Sequence, residues 1–207
     1  MTDAESTGDR SARNTDDFGA TDQHEVAEYA LLGLLREGPQ HGYRLAAAFT
    51  LDGRLGVALR LKMSQMYAYL RKLERQGLLQ AHDEIDAGSR RARHIFALTA
   101  EGARDFDAWM DAPVEATREV RLAFLLKLAF TLDDPPAAQR LIERQRAATA
   151  AWLERQRLRA KHLGADSDDM RLTLAQLTLR HRILLSEATL RWLDETASQL
   201  RSSFVHG

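Results

Sequence analysis

The chain contains no cysteine. That excludes disulfides, thiol nucleophiles and thiolate metal sites in one step, and it suits a reducing compartment. Proline is scarce, with four in 207 residues, and aromatics make up only 7%. Both favour a helix-rich chain, because proline interrupts helices and aromatic side chains are enriched in strands. Charge of one sign is missing as well: the formal net charge is -1, so any anion-binding role must rest on local clusters. The longest apolar run, "LAFLLKLAFTL" from Leu122, is too short to span a bilayer and contains Lys127. Nor does the polar, acidic start "MTDAESTGDRSARNTDDFGATDQ" hold an apolar core of signal-peptide type. The expectation is a soluble cytoplasmic protein with no membrane partner. No nucleophile elbow, phosphate-cradling glycine loop or apolar carboxylate pair occurs, since "GRLG" and "GPQHG" follow no buried strand. An enzyme is not expected, and no cofactor is implied.

What is present is helical periodicity. Residues 1–24 are rich in Asp, Thr, Ser and Gly and read as a disordered tail, with too little apolar surface to offset the entropy of ordering. From Val26, an apolar helix carrying Ala27, Ala30, Leu31, Leu34 and Leu35 runs to the Gly38-Pro39 pair. A short second helix begins near His41 or Gly42, and the glycine-interrupted "LDGRLGVALRLK" connects it to "SQMYAYLRKLERQGLL". There Met66, Leu70, Leu73 and Gly77 recur at helical spacing, with Ser64 as the expected N-cap and Gly77 as the stop, so a helix is expected over about 65–76. Two strand-like runs, "LLQAHDEI" and "ARHIFALT", flank "DAGSRR", whose Gly88 permits a tight hairpin. Phe96 and Leu98 share one face of the second strand, and Thr99 caps a helix bearing Phe106, Trp109 and Met110.

The fold class that follows is mainly α: an N-terminal winged helix-turn-helix, three helices plus a β-hairpin wing, over 25–112, then a helical dimerisation or effector domain over 113–203. In the second half "REVRLAFLLKLAFTL" is apolar almost all round and so buried between partners, ending at Pro135-Pro136. A long helix follows to Gly164. Asp166 or Ser167 caps a last helix to about Ser202, whose Leu172, Leu179, Ile183, Leu190, Leu193, Ala197 and Leu200 repeat with one polar lapse at Ser186.

At about 100 degrees per residue, Ser64, Ala68, Arg71, Lys72 and Arg75 fall in one outward sector of the third helix, bordered by Tyr67. A charged outer face alone is ordinary for a surface helix. The hairpin tip, however, gathers Arg90, Arg91 and Arg93 within four residues, where they contribute nothing to the turn itself. Two anion-attracting elements at the places where a winged helix meets double-stranded DNA point to DNA binding. Ser64, Gln65, Ala68 and Arg71 are placed to approach base edges, and Lys72, Arg75 and the wing arginines to hold phosphates. Tyr67 suits either a phosphate contact or packing. The rival from another class is a winged-helix protein-interaction module with an incidental basic face.

The strings "YALLGLLREGPQHGYRL", "SQMYAYLRKLERQGLL" and "RRARHIFALTAEG" together resemble the PadR family of bacterial transcription regulators, and "REVRLAFLLKLAF" resembles the start of the C-terminal domain in its longer members. The third helix departs from the family pattern in lacking a proline near its start, having "LKMSQMY" instead, and the connector is unusually rich in glycine. The resemblance implies a homodimer joined by C-terminal helices, with both recognition helices in successive major grooves of a palindromic operator. It also implies repression and a hydrophobic or aromatic effector. For that effector Trp109, Phe124, Phe130, Trp152 and Trp192 are candidate pocket residues or, more commonly for such side chains, core and dimer-interface residues. Trp152, ringed by alanines, is the best single pocket wall. No histidine pair stands at one-turn spacing, so His162 near Asp166, Asp168 and Asp169 is not read as a metal site.

Overall fold

The computed structural model describes residues 20–85, 92–115, 120–163 and 170–206. The elements are α1 (Ala20–Arg36), β1 (Gln40–His41), α2 (Gly42–Ala48), α3 (Met63–Arg75), β2 (Leu79–Ile85), β3 (Ala92–Leu98), α4 (Ala100–Asp111), a π-helical turn (Val120–Phe124), α5 (Leu125–Ala129), α6 (Pro135–His162) and α7 (Met170–His206). This is a winged helix-turn-helix followed by a helical half, the expected class.

The winged half closes around α3. Its stripe of Met66, Leu70 and Leu73 is fully buried among Leu31 of α1, Leu45 of α2, Leu55 of the connector and Leu79 of β2. Burying three such side chains contributes about 1.5–3 kcal/mol each. The helix ends where only glycine fits without strain. Gly77 has φ of +73°, the Leu78 N–H bonds the Leu73 carbonyl, and the Gly77 N–H bonds that of Glu74, which closes the last turn in a Schellman arrangement. The chain then turns directly into β2.

Strands β2 and β3 pair antiparallel from Leu79 opposite Leu98 to Ile85 opposite Ala92. The register buries Phe96 and half-buries Leu98 on one face, as their shared parity requires. The sequence did not suggest β1, which joins the far edge of β3 and makes the sheet three-stranded in the order β1-β3-β2. Thr99 knits sheet to helix: its hydroxyl accepts from the Gly102 N–H at 3.0 Å and faces the Gly77 and Leu78 carbonyls at 2.7 and 3.0 Å.

Several expectations need correction. Helix α1 begins at Ala20, so Ala20–His24 belong to it and not to a disordered tail; His24 is held by the Tyr69 hydroxyl at 2.6 Å. Residues 1–19 lie outside the described residues. The N-cap of α3 is Lys62 and not Ser64, which sits inside the first turn. The side chain three residues beyond Lys62 does the capping, because Gln65 Oε1 accepts from the Lys62 N–H at 3.1 Å. The apolar segment expected as one helix is a π-helical turn followed by five-residue α5, with turns at 130–133 before α6. Gly88, Gly164, Asp166 and Ser167 lie outside the described residues.

Helix α6 starts with two prolines behind Asp134, whose carboxylate accepts from the Ala137 N–H at 3.0 Å. Arg146 pairs with Asp194 and Arg157 with Glu187, so positions rise along α6 as they fall along α7, and the two helices are antiparallel. The polar lapse at Ser186 is fully buried, its hydroxyl bonded to the Arg182 carbonyl at 2.8 Å. The core does not stop at Pro113. Ala123 and Leu126 are buried in the winged-half cluster, whereas Val120, Phe124 and Leu128 face Leu141, Ile142 and Leu193.

Replacing Thr99 with Ala removes the α4 cap and a donor to two carbonyls. It is expected to cost about 1–2 kcal/mol in urea or thermal unfolding, with no change in the exposed face of α3.

Candidate nucleic-acid interface

The buried stripe of α3 fixes which residues face outward. Ser64, Gln65, Ala68, Arg71 and Arg75 are exposed, as the spacing required. Gln65 has its carbonyl oxygen committed to the cap at Lys62, so its amide nitrogen is the end that points away from the helix start. Lys72 is only half-buried on the flank, where its Nζ meets Glu28 Oε1 of α1 at 2.5 Å. The sequence reading left that lysine open to phosphates; the structure gives it a carboxylate partner 44 positions away. Beside it Tyr69 bonds His24, and burial, then the Glu28 carboxylate, raises its phenol above the usual value while Lys72 opposes.

Tyr67 packs. Its ring lies 6.3 Å from Phe96, and a Cβ on Gly42 would overlap its hydroxyl, so a glycine at the start of α2 is what lets α2 and α3 meet. Arg90 and Arg91 lie outside the described residues. Arg93 sits in β3 in register with Glu84, which puts it on the wing strand next to the hairpin tip.

Three exposed cations escaped the sequence reading: Arg44 on α2, and Arg60 and Lys62 immediately before α3. The signal lay in "LRLKM", a basic pair at a helix start. It sits in a connector whose glycines dominate its local signal.

The aromatic candidates do not converge. Trp109 stacks on Tyr29 at 4.7 Å within the winged half, near Phe106, which in turn meets Phe130 edge-on at 5.5 Å. Phe124 is fully buried and meets Trp192 edge-on at 5.6 Å in the helical half. Trp152 lines a cleft of about 420 Å³ between α6 and the segment 113–115, shared with Arg155, Gln156 and Arg159. Gln156 Oε1 is buried there without a hydrogen-bond partner among the described residues. Among the described residues no group of His, Asp and Glu is arranged to hold a metal ion, and no helix is long and apolar enough to cross a membrane.

Fold and exposed face together define a winged helix-turn-helix protein with an open, cationic third helix and a two-helix C-terminal arm. Residues 31–108 match the model of the PadR-like family of transcriptional regulators, and residues 120–201 match that of the virulence activator alpha C-terminal family. The chain is 31% identical over 105 residues to the negative transcriptional regulator PadR of Bacillus subtilis (strain 168), a match spanning 51% of this chain and 56% of that protein. Among solved structures it is similar to Bacillus subtilis PadR in complex with operator DNA, at 25% identity and a TM-score of 0.40, covering 84% of this chain and 99% of that one. It is also similar to the Vibrio cholerae virulence activator AphA, at 18% identity and a TM-score of 0.35, covering 86% and 99%.

Replacing Gln65 with Ala leaves the Lys62 N–H without its cap. Stability is expected to fall by about 0.5–1 kcal/mol, and amide exchange across 62–66 to rise, with 70–75 unaffected.

Proposed function

We propose that this protein is a DNA-binding transcription regulator, working in the cytoplasm as a homodimer on a palindromic operator, and not an enzyme. The observation that carries the reading is the exposed face of α3, Ser64, Gln65, Ala68, Arg71 and Arg75, presented while the opposite stripe is locked in the core. Such a helix fits a major groove with its first residues at base edges. Arg75 at its end, Arg44, Arg60 and Lys62 around its start, and Arg90, Arg91 and Arg93 on the wing supply phosphate contacts. The working division is residues 25–112 for DNA and 113–203 for assembly and response. The name of the Bacillus subtilis relative, a negative regulator, supports repression as the output.

Self-association rests on what α6 and α7 leave uncovered. Leu158, Met170, Leu174, Leu177 and Leu184 are all exposed, Met170 to 78% and Leu174 to 65%. Large apolar side chains in number along one pair of helices mark an association surface, and a second copy offers the matching one. Two copies then present two α3 helices at the spacing of one DNA turn, about 34 Å. The Trp152 cleft is the place for a small hydrophobic or aromatic effector. The segment 113–115 forms one of its walls, so an occupant acts on the joint between the two halves.

The test is fluorescence-polarisation binding to the protein's own upstream intergenic DNA and to scrambled DNA over a salt series. Affinity should fall steeply with salt, at a log-log slope of about -0.9 per phosphate neutralised, and should favour the upstream fragment. A salt-insensitive interaction would instead support a protein-partner module. Arg71→Ala should cost about 1–3 kcal/mol with relaxed specificity, whereas Arg91→Ala should weaken all sequences alike. Glu28→Gln releases Lys72, and the salt slope should steepen by about one phosphate contact.

A further inference from the structure

The polypeptide joining the two halves is gripped from the helical side. Gln145 Oε1 accepts from the Val114 N–H at 2.8 Å, and its Nε2 donates to the Val114 carbonyl at 2.9 Å. Arg144 of α6 pairs with Asp111 of α4 at 2.6 Å. Lys127 reaches back from α5 between them: Nζ donates to the Ala112 carbonyl at 2.5 Å and lies 4.6 Å from the centroid of the Trp109 ring, which itself stacks on Tyr29 of α1.

Lys127 is 2% exposed, and it is the one charged side chain buried among the described residues. An ammonium has three donors to satisfy and a large hydration energy to replace. Here it gains the carbonyl just beyond the C-terminus of α4, whose dipole favours a cation, and the face of an indole. Among the described residues no carboxylate is paired with it. The charged groups acting on it are Arg144 from α6 and Asp111 from α4, already paired with each other, and from α1 the titratable Tyr29 stacks on the same Trp109 ring. The closed junction therefore holds a cation that water would hold better.

We infer that Lys127 is a protonation switch on the joint between the DNA-binding half and the helical half. Its ammonium favours an opened joint in which it reaches water, and loss of the proton locks α4 against α5. In the closed joint, burial and then Arg144 lower the Lys127 pKa from 10.5 to about 8, with Asp111 acting the other way. An opened joint restores the ordinary value, so the open form binds the proton more tightly. Acid then favours opening, and closure gains as pH rises from about 8 toward 10.5. Full coupling changes the closed-to-open ratio by about tenfold per pH unit inside that window and by about 300-fold across it. The inference needs no DNA, so its failure and that of the regulator reading are separable.

Hydrogen exchange followed by mass spectrometry on the full chain, corrected for intrinsic rates and run from about pH 6.5 to about 9.5, reads the joint directly. Protection of segments 105–115 and 122–130 is expected to rise with pH through about 8 by roughly tenfold or more, while 66–74 stays unchanged. Lys127→Met should be protected at every pH and Lys127→Arg at none. Should either variant fold poorly, carbon-13 titration of the chain's four lysines, Lys62, Lys72, Lys127 and Lys161, serves in the unaltered protein. One resonance, assigned to Lys127, should titrate near 8. Protection that is flat or falls with pH, or a Lys127 resonance titrating near 10.5, overturns the inference.

Discussion

Everything presented by this protein depends on one packing constraint, the locking of Met66, Leu70 and Leu73 into the core. A helix with one apolar stripe can rotate about its axis until that stripe is buried, and then it can rotate no further. The outward face is therefore set by what is hidden. Around that lock, shorter-range contacts tighten the setting. Glu28 and His24 on α1 hold Lys72 and Tyr69 on one flank, and Tyr67 lies over Gly42 and Phe96 on the other. What remains open is a narrow row from Ser64 to Arg75. Of the three α3 cations, Arg71 and Arg75 stay on that row while Lys72 is bound to Glu28.

The second constraint lies at the joint. Ala123 and Leu126 are buried with the winged half, but Val120, Phe124 and Leu128 are buried with α6 and α7. The apolar run Val120–Leu128, which includes a π-helical turn at Val120–Phe124, directs its side chains to both sides, as a helix that is apolar all round does. The two halves thus share a wall rather than a tether. Into that wall the chain has placed its buried charge, Lys127, in a position where a leucine or methionine would pack at no electrostatic cost. A joint that is tight in packing and loose in electrostatics can exist in two arrangements of similar energy, which a signal between the halves requires.

Most of the winged half was legible in the sequence because its elements carry strong local signals. The α3 stripe, the Gly77 stop, the parity of Phe96 and Leu98 and the Thr99 cap each rest on neighbours a few residues apart, and each is found in place. What was not legible depends on distant partners. A two-residue strand such as β1 has no period, and exists only because β3 offers an open edge. The Glu28–Lys72 pair spans 44 positions, and no spacing rule announces it. Ser64 has the composition of an N-cap, but Gln65 reaching back to Lys62 moves the helix start earlier. Composition carries no direction, so it could not divide the aromatics between pocket and core; in space Trp109 and Phe130 serve the winged-half core, Phe124 and Trp192 pack in the helical half, and Trp152 lines a cleft. The burial of Lys127 was hidden inside a run that composition marked simply as apolar.

The central claim is that the open row on α3 meets DNA bases. The most direct measurement places a photoreactive residue at Ala68, an exposed position that packs against nothing in the core, and maps its crosslinks on the bound upstream fragment. Crosslinks confined to bases in the major groove at symmetric positions, and absent when the same group replaces exposed Ala150 on α6, are the predicted result. A bound fragment that crosslinks from Ala150 but not from Ala68 would contradict it.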